Sequence, residues 1–367
     1  MKIAKVIHAF YPQRVGGSVF YVKQISEKQK DKYDIHIYTY NLRDGFKYRD
    51  YGYKVYYLNG VNFHLPPNVN EWPILFQLQK HLDKFKPDII EAHSHLFFPS
   101  FQAIRYAYEN GIPSILFIHG FMKVCDWLTN SLQKLYLYTM CRKLFNMANI
   151  IVTLNPLDTI DVLRILGKRE VIPHIVLLPP FVDTEYFRPN PKVEKKYDIV
   201  WVGRMSQEKD LFTLLYALKG TKLKALLVGD GPEFPRIYRF VKENNLDVTF
   251  TGFVPHREVV KYLWQGKIFV YPSIREGAPL AILEAMSCGL PVVVSNIIAH
   301  RYLVGGKAHY FEPRNPTYLR KSLLLAKSLL EDNLLEHNFR EFVVKNYSID
   351  KVLEYFDHLY ELADIIY

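Results

Sequence analysis

Short β-rich runs alternate with longer stretches of helical spacing from one end of the chain to the other. In the first half the runs are KIAKVIHAF (2–10), DIHIYTY (34–40), YKVYYL (53–58), DIIEAH (88–93), SILFIH (114–119), NIIVTL (149–154) and IVLLPP (175–180). Helices are predicted between them at SVFYVKQISEKQ (18–29), WPILFQLQKHLDKF (72–85) and SLQKLYLYTMCRKLFNMA (131–148). Such alternation argues for βαβ units and a parallel sheet covered on both faces.

The pattern then restarts. YDIVWVGR (197–204), LKALLVGD (223–230), DVTFTG (247–252), KIFVYPS (267–273), LPVVVS (290–295) and AHYFEP (308–313) are six further strands. Helices fall at LFTLLYALKG (211–220), FPRIYRFVKENN (234–245), REVVKYLWQ (257–265) and PLAILEAMSC (279–288). The seam is PPFVDTEYFRPNPKVEKKY (179–197), a proline-rich segment with a charged run that suits an interdomain linker. The expectation is two domains, 1–182 and 183–348. An amphipathic helix at about 349–367 has no strand after it and is a candidate to pack back on the first domain. Open α/β sheets bind ligands beyond the carboxyl ends of their strands, so the loops after the strands hold the chemistry.

Composition narrows the class. A chain of 367 residues, 49% hydrophobic, can bury two cores of ordinary size. No run reaches the ~18 to 20 apolar residues of a membrane span, and MKIAKVIHAF reads as a buried strand rather than a leader. Three scattered cysteines, Cys125, Cys141 and Cys288, make neither a disulfide framework nor a zinc site, which points to a reducing cytoplasm. The net charge of +10 is spread over both halves. No recognition motif supports nucleic acid, so anionic phosphates or an anionic membrane surface account for it as well.

The strongest motif is PSIREGAPLAILEAMSCGLPVVVS (272–295). A strand ends, a loop carries Glu276 and Gly277, a helix starts near Pro279 and stops at Gly289, and a strand follows. At ~1.5 Å rise per residue, Glu276 and Glu284 lie up to ~12 Å apart along the axis. Hydrolase carboxylate pairs sit at roughly 5 to 9.5 Å. Two glutamates so placed suit two parts of one extended ligand, Glu276 the sugar and Glu284 the ribose of a nucleotide. The amides of Gly277 and Ala278 open the helix and suit a phosphate or a sugar hydroxyl. The alternative is a capped loop with one surface glutamate.

Four more loops follow strands. VGRMSQEKD (202–210) carries Arg204 and Lys209, two cations suited to the charge that grows on a departing diphosphate; the alternative is a solvated loop. GDGPE (229–233), beginning at Gly229, and TGFVPH (251–256) carry glycines that let backbone approach a ligand; the alternative is an ordinary strand exit. YPQRVGGSVFYV (11–22) places Gly16 and Gly17 before a helix, without the G-x-G-x-x-G dinucleotide fingerprint. His119 in FIHGF and His93 in EAHSHLFF stand at strand ends. No further ligands stand near His93 and His95, so metal binding is set aside. The segment 121–148 mixes aromatics with Lys123, Lys134, Arg142 and Lys143. Either it is a helix packed on the sheet with snorkelling lysines, the favoured reading, or it is a peripheral membrane contact.

E-x7-E in the frame EG-x-P-x-x-x-LEAM-x-x-G-x-P resembles the signature of the retaining family 4 glycosyltransferases. The resemblance is strongest over about 198–312. It implies the GT-B fold: α/β, two Rossmann-like domains with parallel sheets facing a central cleft. It implies metal-independent transfer of a sugar from a nucleotide-diphosphate donor to a glycan, lipid-linked or small-molecule acceptor, with no cofactor. The location expected is the cytoplasm or the inner face of the membrane. By resemblance Arg204 and Lys209 bind the diphosphate, Glu276 and His119 orient the sugar, and Glu284 holds the ribose. Gly16, Gly17, Gly229, Gly277, Ala278, Pro279 and Leu280 bring backbone to the donor, and backbone near Phe253 and Val254 contacts the base. Ala278 stands where the family often has an aromatic residue. In PPFVDTEYF (179–187) Pro180-Phe181 replaces the family's Asn-Gly. A sugar-nucleotide epimerase and a nucleotide-sugar-binding protein on the same fold are the rival functions.

Overall fold

The computed structural model describes all residues except 15, 43–46, 65–70, 122–134, 169–171, 333, 335–337 and 367. The chain forms two units, Met1–Leu178 with Leu353–Tyr367, and Pro179–Val352. Each is Rossmann-like, built on its own sheet.

The main sheet of the first unit has eight strands: β1 (Lys2–Ile7), β2 (Asp34–Tyr40), β3 (Tyr48–Asp50), β4 (Lys54–Leu58), β7 (Ile89–His93), β8 (Ser114–Ile118), β9 (Ile150–Thr153) and β10 (His174–Leu177). They lie in the order β10-β9-β8-β7-β1-β2-β4-β3. All pairings are parallel except β3 with β4. The central strands are buried at nearly every position because helices cover both faces. Strand order reverses between β1 and β7.

The helix expected over 72–85 is divided. Its first part is strand β6 (Glu71–Leu75), antiparallel to β5 (Gly60–His64), and only Leu78–Phe85 is helical. The Gln102 side chain bonds both the N–H (2.9 Å) and the C=O (3.0 Å) of Leu75, holding it extended. Gln77, at φ +62°, then turns the chain into the helix. The helix expected over 131–148 is described from residue 135, with a π-helical turn at Leu137–Cys141 before the α-helix Arg142–Met147. Lys123 and Lys134 lie outside the described residues. Among the described residues no helix is long and apolar enough to cross a membrane.

The second unit has six parallel strands: β11 (Tyr197–Val202), β12 (Ala225–Val228), β13 (Val248–Phe250), β14 (Gly266–Tyr271), β15 (Val292–Ser295) and β16 (His309–Phe311). Their order is β13-β12-β11-β14-β15-β16. Counted within the unit this is 3-2-1-4-5-6, the doubly wound order, and its switch point lies between β11 and β14. Trp201, Phe269 and the valines of β15 are fully buried in its core.

Candidate active site

Backbone bonds sew the strand exits of the second sheet together. After β11, Gly203 N donates to Val228 O (3.0 Å) and Met205 N to Asp230 O (2.9 Å). The loop after β12 answers with Glu233 N to Met205 O (3.0 Å), and Gly229 N donates to Gly252 O (3.1 Å) beyond β13. From the loop after β14, Ile274 N reaches Glu208 O (2.9 Å). Gly229 has φ +126°, and a Cβ there would lie 1.9 Å from Gly203 O. No side chain fits that position, so the glycine is what lets two loops touch.

At the switch point, Lys209 ends a short 3-10 turn, Gln207–Lys209, after β11. Its Nζ lies 2.6 Å from Glu276 Oε1 and donates to the Tyr271 hydroxyl at 3.0 Å. Burial works against the ammonium, but Tyr271 and Glu276 outweigh it and raise the Lys209 pKa. Burial, with Glu276, pushes the Tyr271 phenol up to about 12. Two residues assigned to separate parts of a donor are therefore bonded to each other. Arg204 is exposed, and its guanidinium has no hydrogen-bond or ion-pair partner among the described residues. A lysine fixed by a carboxylate and an exposed arginine thus follow the same strand.

Glu284 lies on the helix Leu280–Ser287, 5% exposed. Its Oε1 is 2.6 Å from His256 Nε2, in the loop after β13. Burial opposes charge on His256, but Glu284 outweighs it and raises the imidazole pKa. His256 was not marked in the sequence as a site residue; its place in a strand exit was the available signal. Gly277 and Ala278 are half-buried in the loop, Pro279 is buried just before the helix, and Leu280 begins it. Phe253 is 75% exposed, with the half-buried Val254 after it.

In the first unit, Gly16 caps the helix Gly17–Gln29. Both Gly16 and Gly17 are exposed, and a Cβ at either would meet nothing within 4 Å. The protein's own packing does not require glycine there. His119 follows β8, and its Nε2 lies 3.2 Å from His93 Nδ1. Burial, with His93, His8 and His95, holds its pKa well below the ordinary value. Behind it, His93 Nε2 is 3.3 Å from the buried Glu91, which also meets Lys5 Nζ at 3.2 Å and the Tyr360 hydroxyl. No group of three or more His, Cys, Asp or Glu among the described residues could hold a metal ion.

Two family models match. "Glycosyltransferase Family 4" covers residues 15–186, and "Glycosyl transferases group 1" covers 182–345, so together they span both units. The GPI3 subunit of phosphatidylinositol N-acetylglucosaminyltransferase from Saccharomyces cerevisiae is 25% identical over 318 residues, 80% of this chain and 68% of that protein. The teichuronic acid biosynthesis glycosyltransferase TuaC of Bacillus subtilis, a putative assignment by its name, is 23% identical over 86% of this chain and 87% of its own. Sucrose-phosphate synthase of Thermosynechococcus elongatus superposes with TM-score 0.79 at 18% identity, covering 100% of both chains. HepE of Anabaena, solved with UDP, gives TM-score 0.76 at 16% identity, covering 98% of this chain and 100% of its own. These neighbours share the GT-B fold with this chain.

Proposed function

The chain belongs to the family 4 glycosyltransferases, and from that premise we propose that it transfers a sugar, with retention, from a nucleoside-diphosphate donor without a metal ion. The observation that carries this is the Lys209–Glu276 pair at the switch point, with the unpaired Arg204 on the same strand exit. As the glycosidic bond breaks, negative charge collects on the leaving diphosphate. Lys209 and Arg204 stabilise it where a metal ion would otherwise stand. Glu276, held by Lys209, orients the transferred sugar, and Glu284 binds the ribose hydroxyls. The glycine-lined exits at Gly229 and Gly277 bring backbone amides to the donor. His119, on the first unit, takes the family role of orienting sugar hydroxyls. The departing phosphate helps to deprotonate the acceptor on the same face, so no carboxylate nucleophile is needed.

The complexes of HepE with UDP and UDP-glucose support uridine donors. The phosphatidylinositol N-acetylglucosaminyltransferase relatives support N-acetylglucosamine as the sugar and a lipid as the acceptor. The test is a thermal-shift screen of UDP-, GDP- and ADP-sugars, followed by release of nucleoside diphosphate with and without acceptor lipid. Activity that survives EDTA supports the metal-free mechanism. A requirement for Mg²⁺ or Mn²⁺ replaces it with a metal-clamped diphosphate.

A further inference from the structure

The first unit holds a chain of polar groups where burial makes them expensive. Lys5 on β1 and Glu91 on β7 are direct neighbours in the strand register and are 1% and 0% exposed. An ionised pair so deep is retained only where every lone pair and proton finds a partner. Three partners converge on Glu91. Its Oε2 takes Lys5 Nζ (3.2 Å) and His93 Nε2 (3.3 Å), and its Oε1 takes the Tyr360 hydroxyl. Lys5 Nζ also donates to Gln29 Oε1 at 2.8 Å. Lys5, His93 and Tyr360 together outweigh burial and hold the Glu91 carboxyl at about 2, so Glu91 is an ionised acceptor.

An ionised carboxylate only accepts, so His93 carries its proton on Nε2. Burial keeps His93 neutral against the pull of Glu91, and Nδ1 is left as a lone pair. That nitrogen lies 3.2 Å from His119 Nε2, which therefore donates. The His119 ring is further fenced by the edge of Tyr21, at 5.3 Å between centroids and 74° between planes. His93 itself stacks on Phe117 at 4.7 Å.

We propose that Glu91 and His93 are positioning residues that lock His119 as its Nε2–H tautomer and turn its Nδ1 lone pair toward a hydroxyl of the transferred sugar. The lock rests on geometry within the first unit; its use in transfer rests on the function proposed above. A neutral imidazole with a fixed acceptor nitrogen takes a hydroxyl proton donor in one orientation. A tautomeric mixture or an imidazolium does not.

The test has two arms on the full chain. In ¹⁵N-histidine-labelled protein, a coupling across the hydrogen bond between His119 Nε2 and His93 Nδ1 is expected, with His119 in one tautomer. His119 in the Nδ1–H form, or no coupling, overturns the assignment. This arm uses the wild-type chain and stays decisive even where a variant fails to fold. In the second arm, UDP release is followed from UDP-glucose or UDP-N-acetylglucosamine, whichever the wild type turns over. His93→Phe keeps the stacking on Phe117 and removes the acceptor nitrogen; turnover should fall roughly 10-fold or more. His93→Phe combined with His119→Ala should be no slower than His119→Ala alone. Losses that multiply in the double variant mean that His93 acts independently and sink the proposal. Full turnover in His119→Ala with the coupling present removes His119 from transfer: the functional reading of that residue fails and the lock stands.

Discussion

Lys209 and Glu276 follow the two strands that flank the switch point of the second sheet, β11 and β14, and join across it through one 2.6 Å ion pair. The pair gives each residue a second duty, since each also fixes the other. Lys209→Ala and Arg204→Ala should therefore fail differently. Both should slow turnover by ~10²-fold or more, because in the proposed mechanism each faces charge that grows in the transition state. Lys209→Ala should also lower the melting temperature by several degrees, because it strands a nearly buried carboxylate. Arg204→Ala, at an exposed and unpaired position, should leave melting unchanged. Scanning fluorimetry beside steady-state kinetics separates the two.

The two glutamates should separate by ligand. Glu284→Ala is expected to weaken nucleoside diphosphate binding by about 1 to 3 kcal/mol, the worth of a charged hydrogen bond. Glu276→Ala should hold the sugar-free nucleotide nearly as tightly yet transfer poorly. Calorimetry with UDP on both variants reads the difference. The opposite pattern reverses the two assignments.

His256 supplies a pH dependence. Glu284 raises its folded pKa above the ordinary 6.5, so the stability it contributes is fully present below that value. That contribution is lost as pH rises through the raised folded pKa. The melting difference between wild type and His256→Ala should be largest in mildly acidic buffer and shrink on the alkaline side. A difference that grows with pH would falsify the ion pair with Glu284.

Gly229→Ala tests the stitching of the loops. Its Cβ would press on Gly203 O from a backbone at φ +126°, so two strand exits must part. The melting temperature should fall by roughly 5 °C or more, with donor binding lost alongside. Gly16→Ala, which meets nothing within 4 Å, should melt like the wild type.

The parallel strands were legible because buried β-structure writes itself as unbroken apolar runs, as at Ile199–Trp201 and Val292–Val294. The β5–β6 hairpin was not. Pro73, Ile74 and Leu75 run on into a helical spacing, and it is the antiparallel pairing with β5 and the Gln102 clamp on Leu75, 27 residues away, that hold that stretch extended. Arg204, Lys209, Glu276 and Glu284 were visible as residue types in strand exits. Their partners were not, because the pairing of Lys209 with Glu276 spans 67 residues and that of His256 with Glu284 spans 28. Glu91 shows why local reading misses such groups. It stands inside the run DIIEAH and looks like a tolerated break in a strand until Lys5 and Tyr360 are brought beside it.

Vectorial synthesis meets this architecture unevenly. The second unit is one continuous stretch, Pro179–Val352, and can close as it leaves the ribosome. The first unit starts earlier and must wait, because Phe356 and Tyr360, which seal its core and its buried carboxylate, are translated after the whole of the second. The half that begins first is completed last. In the interval the buried Glu91 lacks the tyrosine hydroxyl that caps it.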